Sequence, residues 1–264
     1  MKVTFANPSV GYMTESIMAF QTDGETAFWT EPLYYFYPQL DRTHAAGLSF
    51  AERKEYIECI MRTVYKEKED IINKKVELYS KQWDTCERQI SDALSDAFAL
   101  NCDVLLNDIR CNVSLNPISP RFLKERRYDV FYLNSEQGAI GMSIHEIIHF
   151  VWFYVWQRTF NDGFNEYERP SLKWILSEMV VESIMSDKRL SSVNPYFPRE
   201  RGGCIYPYFF DMIIDGKPIL DTINIMYRSQ NIEDFMRCSY EYCRKHEAEI
   251  REHIKKSEFA GNQN

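Results

Sequence analysis

Residues 139–156 read AIGMSIHEIIHFVWFYVW. The run is apolar for about a membrane-spanning length, yet His145, Glu146 and His149 stand in its middle, where such groups cost roughly several kcal/mol in lipid. The aromatic residues Phe150, Trp152, Phe153, Tyr154 and Trp156 cover nearly the whole helical circumference, the pattern of a helix buried in a protein core. On a helix, positions i and i+4 share a face, so both imidazoles reach toward one point and Glu146 projects beside them. Two imidazoles and a carboxylate at this spacing are the residue types that hold a divalent metal ion and take a proton from water.

Upstream, residues 111–120 (CNVSLNPISP) read as a short strand ended by prolines, and residues 127–134 (RYDVFYLN) alternate as a strand does. Gly138 and Gly141 follow. A strand just before the HEIIH helix is expected to offer an edge to which an extended peptide adds. Ser49 with Glu52 forms a capping-box signature that opens a charged, amphipathic stretch to about Leu100. Two or three helices are expected there, with Ile57, Ile60, Met61, Val64 and Tyr65 at core spacing. Residues 1–48, rich in aromatics, read as loops and short elements.

Downstream, residues 160–170 (FNDGFNEYERP) read as a loop, after which a helix starts at Pro170 or Ser171 and runs to about Met185. A loop-rich section holds strand-like residues Ile205 to Phe210 and a turn at Asp215-Gly216. One helical segment is expected from about Ile232 to Lys256, then a frayed tail over 260–264. Repeats and obvious linkers are lacking, so a single unit is expected over 1–264, mainly helical over 1–110 and carrying the metal site over 111–264. The class expected is α+β, mainly helical, with a small sheet beside the HEIIH helix.

The composition bounds the chemistry. A net charge of -8 works against a broad phosphate-binding surface, so no nucleic-acid partner is expected. Seven cysteines form an odd set without a close C-x-x-C pair, which fits reduced thiols and a cytoplasmic protein better than a disulfide framework. Residues 1–20 hold no unbroken apolar run of signal-peptide length, so secretion by that route and membrane partners are not expected.

Two histidines leave a zinc site short of a ligand, since catalytic zinc takes three protein ligands and keeps one position open. A third histidine two turns on is absent: Trp152 and Val155 stand where the metzincin pattern needs Gly and His. The stretch from Trp174 to Glu182 (WILSEMVVE) has acids four apart, and here the chain resembles the gluzincin branch of the zincin metallopeptidases. The resemblance covers about forty-five residues, from the strand before HEIIH to Glu182, and departs from many members in carrying Met179 where they have a small residue.

The resemblance implies a zincin-like domain with His145, His149 and Glu178 as zinc ligands and Glu146 as general base. It also implies Glu182 as an acceptor for a ligand imidazole N–H. Glu166 competes as third ligand, although Pro170 four residues later argues against a helix through it. Tyr206, Tyr208 and His246 are candidate oxyanion donors by residue type alone. The function expected is a zinc-dependent metallopeptidase acting on a peptide or protein. The alternatives are a catalytically inactive zincin-fold binding protein and a metal-dependent hydrolase of a non-peptide substrate.

Overall fold

The computed structural model describes residues 1–162, 167–194 and 204–260. It is α+β and mostly helical, with one four-stranded sheet and a two-residue hairpin among the described residues. The chain folds into two compact units. Of the crossings between them, those at Thr85/Cys86 and Ile140/Gly141 fall inside continuous helices.

The sheet unit comprises Val3–Thr85, Asp108–Ile140 and the residues from Glu258. Strand β1 (Val3–Ala6) pairs in parallel with β2 (Ile109–Ser114), with Val3 opposite Ile109. In turn β2 pairs in parallel with β4 (Arg127–Phe131), Cys111 opposite Tyr128, and β3 (Arg121–Phe122) adds antiparallel to β4. The order is therefore β1-β2-β4-β3, which corrects the expectation of an edge strand before the HEIIH helix: β4 lies inside the sheet, flanked on both sides. Three short helices, α1 (Val10–Met18), α2 (Ala27–Phe36) and α3 (Arg42–Ala46), fill the stretch read as loops and short elements. Buried Asp129 on β4 accepts from the Tyr12 and Ser16 hydroxyls at 2.7 and 2.8 Å and from the Asn112 amide at 3.1 Å.

From Ser49 a single helix, α4 (Phe50–Phe98), runs for 49 residues, in place of the two or three expected. No glycine or proline interrupts it, and at 1.5 Å per residue it spans about 74 Å. Its start is the capping box: the Ser49 N–H donates to Glu52 Oε2 at 3.0 Å and the Glu52 N–H to Ser49 Oγ at 3.4 Å. Ile57, Met61, Val64, Ile72, Tyr79 and Trp83 are buried along one stripe, while Ile60 and Tyr65 are half-buried. Phe5 of β1 meets Tyr79 and Trp83 with ring centroids 6.3 and 6.2 Å apart.

The second, helical unit holds Met1–Lys2, Cys86–Asn107 and Gly141–Ser257, including the short α5 (Cys102–Leu105). Helix α6 (Glu136–Phe160) is the only described helix long and apolar enough to cross a membrane, and 72% of its most apolar window is buried. Helix α7 (Leu172–Met185) starts where expected, the Ser171 hydroxyl accepting from the Trp174 N–H, and nearly every residue of it is buried. After the short α8 (Lys188–Ser191), Ile205 to Phe210 form not a strand but a 3-10 turn over Pro207–Phe209, where the proline ring presets φ. Strands β5 (Ile213–Ile214) and β6 (Lys217–Pro218) flank Asp215 and Gly216, whose φ values of 52° and 73° make the tight hairpin turn.

Helix α9 (Ile219–Ser229) follows the hairpin. The single C-terminal helix expected is two, α10 (Ile232–Lys245) and α11 (Glu247–Ala260), parted at His246 with φ −109° and ψ 18°. Aromatic contacts tie α10 to α6: Trp152 meets Phe235 at 5.8 Å and Trp156 meets Tyr240 at 4.8 Å.

Candidate metal centre

Helix α6 is apolar on every side, so the polar groups it carries at 145, 146 and 149 are drawn out of water with it. His149 is fully buried, and His145 and Glu146 are 7% and 3% exposed. One helical turn separates the two imidazoles, and their Nε2 atoms lie 3.0 Å apart with ring centroids at 4.8 Å. From α7, Glu178 brings its carboxylate to the same point: Oε2 is 3.4 Å from His145 Nε2, and Oε1 is 3.4 Å from His149 Nε2. Glu146 Oε1 stands 3.9 Å from His145 Nε2. Glu182, one turn beyond Glu178 and on the same face, is 7% exposed.

These residues fit a divalent cation in dimension and in chemistry. Tetrahedral zinc with bonds of about 2.0–2.1 Å holds neighbouring donor atoms about 3.3–3.4 Å apart, close to the separations found here. Two imidazole nitrogens 3.0 Å apart cannot both present lone pairs to each other, so a proton or a cation belongs between them. Three carboxylates gathered in so buried a place also carry a desolvation cost that a cation offsets. His145, Glu146 and His149 together offer ligand atoms within 4.8 Å of one another.

On its far side, His145 Nδ1 lies 2.9 Å from the main-chain carbonyl oxygen of Cys204. The Cys204 thiol is pushed up to about 12, by burial first and then by the charges of Glu182 and Glu178, so it is a neutral S–H at ordinary pH. Sequence reading missed Cys204, because an acceptor in the main chain has no side-chain signature to find.

The candidate oxyanion donors fall in two places. Tyr206 and Tyr208 stack at 5.4 Å and 11°, and the Tyr206 ring lies 5.7 Å from Trp174, one turn before Glu178 on α7. His246 sits at the corner between α10 and α11, with Nδ1 3.0 Å from Glu249 Oε1 and Nε2 3.1 Å from Asp215 Oδ2. Its two ring nitrogens thus face carboxylates of α11 and of the β5–β6 turn. Glu166, the competing third ligand, lies outside the described residues. In comparisons with known proteins, the chain matches no family model, no curated protein and no solved structure.

Proposed function

We propose that this chain is a zinc-dependent peptidase of the gluzincin kind, on a zincin-like fold, with a peptide or protein as substrate. The observation that carries the reading is the convergence of His145 Nε2, His149 Nε2 and the Glu178 carboxylate at mutual distances of 3.0 to 3.4 Å. His145, His149 and Glu178 would hold the ion, whose contribution is Lewis acidity toward a substrate carbonyl and toward water. Glu146, beside them, accepts the proton of the attacking water and passes it to the leaving amine. Glu182, on the Glu178 face of α7, is the proposed acceptor for the N–H of a ligand imidazole.

The burial of all four central groups favours a second reading, a hydrolase of a substrate smaller than a peptide. One set of measurements separates these outcomes: metal content of the purified protein, then products from a mixed peptide library and from small esters and amides. Zinc-loaded protein is expected to cut peptides, and Glu146→Gln to keep its zinc while losing about 10²- to 10⁴-fold in rate. Cleavage of small amides alone would move the conclusion to the second reading. Zinc-loaded protein inert toward both substrate sets would overturn both.

A further inference from the structure

We infer that the main-chain carbonyl of Cys204 positions His145 as a ligand, and that the contacting rings of Trp174, Tyr206 and Tyr208 hold that carbonyl in place. The inference rests on the reading of His145 as a metal ligand. A carbonyl oxygen has no proton to give, so the hydrogen in its 2.9 Å contact with Nδ1 belongs to the ring. The neutral imidazole is then the Nδ1–H tautomer, with a bare lone pair on Nε2 facing His149 and Glu178. With His145 in that form, the donor across the 3.0 Å between the two Nε2 atoms is His149. The two rings are therefore unlike: His145 is preset for a cation, whereas neutral His149 holds its one proton on Nε2 in the metal-free protein and would hold it on Nδ1 with a cation at Nε2.

A main-chain acceptor is only as steady as its segment. The Phe209 N–H donates to the Tyr206 carbonyl at 3.1 Å and the Phe210 N–H to the Pro207 carbonyl at 2.9 Å, closing a hydrogen-bonded turn two residues after Cys204. The Tyr206 ring is braced between Tyr208 and Trp174, so the helix that delivers Glu178 also steadies the group that aims His145. Tyr206 is on this account a positioning residue that acts through its ring.

The test reads the tautomers directly, by nitrogen NMR of ¹⁵N-histidine protein, metal-free at pH 8. The expected result is Nδ1–H on His145 and Nε2–H on His149. Replacing Ile205 by its α-hydroxy acid turns the Cys204 carbonyl into an ester, a weaker acceptor, and alters no side chain. Zinc affinity measured by chelator competition should then fall about 10-fold, the low end of the range for groups that orient ligands. Tyr206→Ala should act in the same direction and Tyr206→Phe should not, with the signals of His44, His246 and His253 reporting that each variant is folded. Nε2–H on His145 in the wild type, or an ester variant with unchanged zinc affinity, would overturn the positioning role. Zinc that moves neither imidazole spectrum while His145 stays Nδ1–H would overturn the ligand reading beneath it, so the two failures are distinguishable.

Discussion

At the scale of single residues, the two acids of α7 are expected to differ in kind although they share a face. Glu178 touches both imidazole nitrogens, so Glu178→Ala removes a donor and should cost more than about 100-fold in zinc affinity, beyond the 10- to 100-fold typical of groups that only orient ligands. Glu182→Ala should fall within that lower range. Chelator competition on both variants checks the order, and an equal loss would mean that the acids share the metal. Helical periodicity puts 145 with 149 and 178 with 182, whereas the meeting of the two pairs was implied only by the gluzincin resemblance. Cys204 was not legible in the sequence, since its part is played by an atom that every residue possesses.

Among the elements, α4 poses the plainest test. Lys74 is exposed near its middle, so a substitution there probes the helix and not the core. Lys74→Gly should destabilise the protein by about 1 kcal/mol and Lys74→Pro by about 3 kcal/mol or more, read by urea unfolding. Two shorter helices meeting near that point would absorb the proline at far smaller cost. Local chemistry made several boundaries readable: Ser49 with Glu52, Ser171 before α7, and Asp215-Gly216 in the hairpin all signal through neighbours in sequence. What stayed hidden depends on distant partners. The strand β1 is four residues long and exists because Val3 finds Ile109, a pairing that no local window contains. The length of α4 was hidden differently, in the absence of any breaker rather than the presence of a signal.

For the whole molecule, the response to acid has two opposed parts. Hydrogen bonds from Arg189, at 2.6 and 2.9 Å, hold the Asp187 carboxyl down to about 2 from an ordinary 3.8. A lowered folded value means a stabilisation that is full above about pH 3.8 and is lost as pH falls toward 2. Asp129 runs the other way: burial raises its carboxyl despite its three donors. Its contribution is therefore full below the ordinary carboxylate range and is lost as pH rises through its folded value. Asp187→Asn should accordingly lower stability at neutral pH and flatten the acid limb between about pH 4 and 2, as followed by thermal melts across that range. An acid limb of unchanged slope would show that Asp187 is not among the groups that set it.

The crowding of indoles around the two metal-site helices has an optical consequence. Trp152 stands three residues after His149, and Trp174 stands four before Glu178, each about one helical turn from a proposed ligand. Trp29 and Trp83 belong to the other unit. The chain thus carries its own fluorophores where a cation would arrive. A zinc titration of unlabelled protein should change the intrinsic emission to saturation at one equivalent, and Trp174→Phe should remove part of that change without removing the binding. An emission that stays flat while zinc is bound would show that the arriving charge leaves the surroundings of both indoles untouched.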